Sequence, residues 1–162
     1  LIDWPERMTL DASRGAVYLE NVQDPGNVGS ILRTAAATAT GQVWLSKGCA
    51  DVWSPKVLRA AMGAHFVLDL IEDVTIADLP RASLAVTTLE RATSLYTAGL
   101  PAEGILAFGA EGGGVSAELL ERADVRLHIP MNDRIESLNV AAAAAVCLFE
   151  RQRRQQQDGL KS

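Results

Sequence analysis

The chain has little cysteine, few aromatics, no surplus of basic charge and no long apolar run, and each shortage excludes a class of protein. Its two cysteines, Cys49 and Cys147, stand far apart, one beside a loop and one in an apolar stretch. A disulfide framework or a metal site needs more ligands at closer spacing, so both read as buried or incidental thiols and no metal is expected. So few cysteines suit a reducing cytoplasm. No apolar run approaches the ~18 uncharged residues of a membrane span. The opening Leu1-Ile2-Asp3-Trp4-Pro5 lacks the features of a secretory leader. It also lacks an initiator Met, which reads as a domain cut from a longer protein. A formal net charge of −5 excludes a simple basic nucleic-acid glue, though not a single basic face.

What is present is a core of small aliphatics, with 48% hydrophobic residues of which aromatics contribute only 5% of the chain. A length of 162 residues suits one domain with a substantial core. Short apolar runs alternate with helical patterns. Strands are expected at 16–20, 42–46, 66–71, 83–88, 104–108 and 125–129. Helices are expected at 28–40, stopped by Gly41, at 54–62 and at 116–122, with a helical turn at 76–79. A long last helix is expected from Ser137, with Leu138, Ala141, Ala142, Ala145, Leu148 and Phe149 as its buried stripe. This alternation predicts an α/β fold, a mostly parallel sheet with helices on both faces. The polar tail 150–162 is expected to continue the last helix and then fray.

Three strand-to-helix junctions carry more hydrogen-bonding groups than packing needs. The first runs from Asn21 through Asp24-Pro25-Gly26-Asn27 and Gly29 to Arg33. Asn27 is placed to cap the helix, and Arg33 to bind phosphate with its two-pronged guanidinium. A plain reading, a capped helix with a solvated Arg, accounts for the same residues. The second is Phe108-Gly109-Ala110-Glu111-Gly112-Gly113-Gly114-Val115-Ser116. Its glycines permit tight turns and expose backbone groups. The G-x-G-x-x-G spacing of a dinucleotide loop is missing, and Glu111 would repel a pyrophosphate. The third is 129–140, from Ile129-Pro130-Met131 to Ser137-Leu138-Asn139-Val140, followed by five alanines. Ser137 reads as an N-cap. Capping alone does not explain Asn139. Open α/β sheets place ligands where strands meet helices in this way.

The order and spacing of these junctions resemble the SpoU-type RNA ribose 2′-O-methyltransferases of the SPOUT superfamily. The resemblance runs from about Ala16 to Arg151 and includes the segment from Trp53 to Phe66. It implies a C-terminal trefoil knot, which ordinary rules of chain connection would not suggest. It also implies S-adenosyl-L-methionine in the knot, an RNA substrate, and a homodimer with composite active sites. Carried over by position, Gly109, Ile129 and Leu138 look like cofactor contacts, completed by Thr88, Phe108, Met131 and Ser137. Asn27, Arg33, Glu111, Ser137 and Asn139 match the family's catalytic positions. Many members carry Asn where this chain has Ala110, although Ala occurs there too. The resemblance implies an extension or linker remnant at 1–15, a catalytic domain at 16–157 and a tail at 158–162. It implies methyl transfer to a ribose 2′-hydroxyl, with ribosomal RNA favoured over transfer RNA. Two other readings stand beside it: an RNA-binding module without catalysis, and a nucleotide-dependent oxidoreductase. His65 and His128 read as packed residues. Lys56, Arg59, Arg134 and the terminal arginines read as solvated surface or RNA track.

Overall fold

The computed structural model describes residues 8–161. Among these, seven strands form one sheet: β1 (Ala16–Glu20), β2 (Gln42–Leu45), β3 (Asp69–Ile71), β4 (Leu84–Thr87), β5 (Thr93–Ser94), β6 (Ile105–Gly109) and β7 (Val125–His128). The order is β3-β2-β1-β6-β4-β7-β5, and every pairing is parallel. Four helices accompany it: α1 (Pro25–Ala37), α2 (Pro55–Ala61), α3 (Ala117–Arg122) and α4 (Val140–Gly159).

A parallel sheet covered on both faces needs strands that are apolar on both sides. Accordingly, Val17 and Leu19 of β1 face a core shared with Val28, Ile31 and Leu32 of α1 and Cys147 and Leu148 of α4. Ala16 and Tyr18 face the opposite core, which holds Leu119 of α3 and Leu79. The expected class is therefore the one observed. Close helix packing depends on one residue: a Cβ on Gly29 of α1 would overlap that of Ala60 and approach the Val57 carbonyl of α2 to 2.9 Å.

Boundaries differ in instructive ways. α1 begins at Pro25 rather than Val28, because Asp24 is the cap and its Oδ1 accepts the Asn27 N–H at 2.9 Å. Asn27 is thus a first-turn residue. The helix ends at Ala37, and the chain reverses at Ala39 (φ 53°) instead of Gly41. The third strand covers only 69–71, since 64–66 form a 3-10 turn. The two-residue strand β5 was not expected; it is too short to show a period. α4 begins at Val140, three residues late, and buries Val140, Ala144, Cys147, Leu148, Glu150 and Arg151. Of the expected stripe only Leu148 is fully buried, while Leu138, Ala142 and Phe149 are exposed. The alanine run hides the phase of this helix, because small residues serve either face.

The polar tail continues α4 to Gly159, as expected, and its first turns are anchored to the rest of the chain. Arg151 is buried and donates to the Thr40 Oγ1 at 3.0 Å and the Ala16 carbonyl at 3.4 Å. Arg154 donates to Glu150 at 2.8 Å and to the carbonyls of Leu95 and Ala98, each at 2.6 Å. These two arginines are consumed by structure and are unavailable to RNA. At the other terminus, Asp11 N–H donates to Gln42 Oε1 at 2.9 Å, and Gln42 Nε2 to the Thr9 carbonyl at 3.1 Å.

Candidate active site

The carboxyl ends of β4, β6 and β7 open on one cavity of about 830 Å³. Thr87 and Thr88 line it from β4 and its exit, Phe108 to Val115 from β6 and the glycine loop, and Leu127, His128, Ile129 and Met131 from the β7 side. Glu136 to Val140 and Ala143 close it from the start of α4. Every expected cofactor contact is on this wall: Thr88, Phe108, Gly109, Ile129, Met131, Ser137 and Leu138. So are Glu111 and Asn139. The sheet order brings the glycine loop, the β4 exit and the approach to α4 onto one wall.

The glycine loop folds back on its own strand. Ala110 and Gly114 form an antiparallel bridge, with the Gly114 N–H donating to the Ala110 carbonyl at 2.9 Å. Gly112 (φ 75°) and Gly114 (φ 64°) take the left-handed conformation that this reversal requires. A Cβ on Gly109 would lie 2.6 Å from the Val115 nitrogen. No hydrogen bond engages the N–H groups of Gly112 and Gly113 among the described residues. They are donors left open on the cavity wall.

The third junction is organised by two asparagines. Asn132 turns the loop by accepting the Arg134 N–H on Oδ1 and the Ile135 N–H on its carbonyl, both at 3.0 Å. Asn139, not Ser137, caps α4. Its Oδ1 accepts the N–H groups of Ala141 at 2.9 Å and Ala142 at 3.2 Å. Its Nδ2 donates to Oδ1 of Asn27 at 3.0 Å. One side chain therefore caps a helix and joins the first junction to the third. Ser137 is left exposed at the cavity, free of capping duty.

Two expected site residues do not line this cavity: Asn27, which is tied to it through Asn139, and Arg33. The Arg33 side chain is exposed and has no hydrogen bond or ion pair among the described residues. It lies one turn beyond Gly29 and so on the flank of α1 that meets α2. Sequence reasoning passed over Thr87, Glu90 and Glu136, all on the wall, and read the half-buried His128, which also lines it, as a packed residue. His128 directly precedes Ile129, which was the available signal. His65 does pack: its Nε2 lies 2.7 Å from the Val52 carbonyl and its ring 5.1 Å from that of Trp53.

Titration is perturbed mainly behind the site, in α4. Hydrogen bonds from Arg153 and then Arg154 hold the Glu150 carboxyl at about 2 against the opposing effect of burial. Burial pushes the Cys147 thiol up to about 12 and brings the Arg151 guanidinium down to about 10. Among the described residues no three His, Cys, Asp or Glu groups gather as metal ligands.

The sequence pattern of the SpoU rRNA methylase family matches residues 15–149. The chain belongs to this family. It is similar to the 23S rRNA (guanosine(2553)-2′-O)-methyltransferase RlmP of Bacillus subtilis, at 35% identity over 86% of this chain and 58% of that protein. The structure of a putative RNA methyltransferase of the TrmH family from Porphyromonas gingivalis superposes with a TM-score of 0.85 at 39% identity, covering 93% of this chain and 63% of that one. An AdoMet-bound rRNA methyltransferase from Sinorhizobium meliloti superposes with a TM-score of 0.83 at 29% identity, covering 91% and 59%. The chain spans about half the length of the curated relatives it matches.

Proposed function

We propose that this chain is the catalytic domain of an enzyme that transfers a methyl group from S-adenosyl-L-methionine to a ribose 2′-hydroxyl of RNA, with ribosomal RNA as the substrate. The observation that carries the reading is the Asn139–Asn27 bond at the edge of the cavity, which couples the first and third junctions. The cavity suits the cofactor on its own chemistry. Ile129, Met131 and Leu138 offer apolar surface to an adenine, and unpaired backbone N–H groups on both loops offer donors. Residues 16–157 are assigned to the catalytic domain, 1–15 to an N-terminal extension or linker and 158–162 to a tail.

S-adenosyl-L-methionine, when bound, would supply an activated methyl group for the ribose 2′-hydroxyl. The protein's task is positioning, which is where much of the acceleration of such a transfer resides. Gly109, Ile129 and Leu138 hold the cofactor, supported by Thr88, Phe108, Met131 and Ser137. Ser137 and Asn139 orient the ribose, and Asn27 fixes the Asn139 amide. Arg33, with its two-pronged guanidinium, serves as a phosphate clamp and hydroxyl activator. Glu111 orients Arg33 and the glycine loop.

Arg33 does not line its own chain's cavity, and the enzyme is proposed to be a homodimer in which a second copy supplies this side chain. The exposed flank of α4 and its approach, with Ile135, Leu138, Ala142 and Phe149, provides an apolar surface for that partner. The proposed path is a trefoil knot. The segment 95–102 is bonded to Arg154 and Gln155 of α4, which supports a threaded C-terminal end. No helix among the described residues is long and apolar enough to cross a membrane, and a cytoplasmic location is proposed.

Calorimetric titration with S-adenosyl-L-methionine, paired with methyl transfer to ribosomal and transfer RNA, tests the reading. Binding and 2′-O-methylation of ribosomal RNA are expected. Absence of binding would select the RNA-binding module instead, and preferential methylation of transfer RNA would select the other substrate.

A further inference from the structure

Glu20 ends β1 and is buried, with 6% of its surface exposed. A carboxylate there costs free energy unless its oxygens are hydrogen-bonded. Both are. Oε1 accepts the backbone N–H of Ser116 at 2.7 Å, and Oε2 accepts the Ser116 hydroxyl at 3.1 Å. Ser116 is the residue at which the glycine loop ends, and its Oγ caps α3 by accepting the Leu119 N–H at 3.2 Å. The register of the sheet places Glu20 opposite Gly109, where the same loop begins. The loop is therefore anchored at both ends against the last residue of β1. The next residue, Asn21 (φ 54°), opens the junction that leads to Asn27.

We infer that Glu20 is a positioning residue for the proposed methyl transfer. It clamps Ser116 and so fixes the glycine loop, with Glu111 and the open N–H groups of Gly112 and Gly113, against the junction that carries Asn27. The clamp is charge-assisted and stronger than a neutral pair, which suits a loop whose three glycines would otherwise favour many conformations. This inference rests on the methyltransferase reading for its consequence, but not for its geometry.

The test uses the whole chain with Glu20→Ala, Glu20→Gln and Ser116→Ala, each confirmed as folded by circular dichroism. Amide hydrogen exchange of Gly114 and Ser116, the hydrogen-bonded amides of the loop, reads the clamp directly. Glu20→Ala should speed exchange there by at least about tenfold, Ser116→Ala by less, and Glu20→Gln should retain protection because its amide can still bond both Ser116 groups. The Kd and KM for S-adenosyl-L-methionine should rise about tenfold or more in Glu20→Ala while kcat changes less than about threefold, with Glu20→Gln restoring both. Unchanged loop exchange in a folded Glu20→Ala protein would overturn the clamp. Faster exchange with unchanged Kd and KM would overturn its role in the reaction. If the wild type bound no cofactor, the methyltransferase reading would fall, and with it the role in the reaction, while hydrogen exchange would still decide the clamp.

Discussion

Asn139 and Asn27, 112 residues apart, are joined by a 3.0 Å hydrogen bond from the Asn139 side-chain amide, whose oxygen meanwhile caps α4. The two halves of this amide can be separated by substitution. Serine is as good a cap as asparagine but is too short to reach Asn27. Asn139→Ser should therefore leave the thermal midpoint within about 3 °C of wild type, while methyl transfer falls at least about tenfold. Asn139→Ala should lose the activity and also about 1 kcal/mol of stability. Thermal unfolding beside an initial-rate assay distinguishes the two. Equal activity in the serine variant would detach the bond from catalysis.

Arg33 stands outside its own cavity, so its contribution should be visible in mixed dimers. Arg33→Ala alone should abolish methyl transfer while leaving the Kd for S-adenosyl-L-methionine unchanged. Mixing Arg33→Ala subunits with Asn139→Ser subunits, after exchange of protomers, should restore about a quarter of wild-type activity, since half the dimers would carry one complete site. No recovery in the mixture would place Arg33's action within one chain.

Gly109 has no room for a side chain, because a Cβ would lie 2.6 Å from the Val115 nitrogen. Gly109→Ala should force the glycine loop outward, costing about 1–3 kcal/mol. The cofactor Kd should rise with it. Denaturant unfolding and calorimetry report the two effects, and a variant with wild-type values of both would show that the loop is not seated on this strand.

Glu150 makes a pH prediction about the scaffold. Hydrogen bonds from Arg153 and Arg154 lower its carboxyl from 4.5 to about 2 in the folded chain. A depressed folded value means that the carboxylate's stabilisation is fully present above the unfolded value and is lost as pH falls through the folded one. The wild type should therefore lose thermal stability between about pH 4.5 and pH 2. Glu150→Gln should start lower at neutral pH and decline less over that interval. Parallel curves for the two proteins would remove Glu150 from the acid response.

Six of the seven strands were legible in the chain itself, and so was the unusual polarity of the three junctions. An apolar run such as 16–20 needs no partner to announce a strand buried on both faces, and Asn27, Glu111, Ser137 and Asn139 are conspicuous because packing does not require polar groups there. Local pattern also carried the caps of α2 and α3, Ser54 and Ser116, whose signals lie within four residues. It failed for α4, where an alanine run has no apolar phase, and for α1, where Asp24 and Asn27 are both acceptable caps and only the folded chain chooses between them. The burial of Glu20, Glu150 and Arg151 lay beyond local reading altogether. Their partners are Ser116, the 95–98 segment with its arginine bridge, and Thr40, and a charged side chain reads as surface until the fold supplies such partners. The sheet order decides the rest. Inserting β6 between β1 and β4 brings the glycine loop to Glu20 and the start of α4 to Asn27, a juxtaposition of distant segments that no period or spacing along one chain encodes.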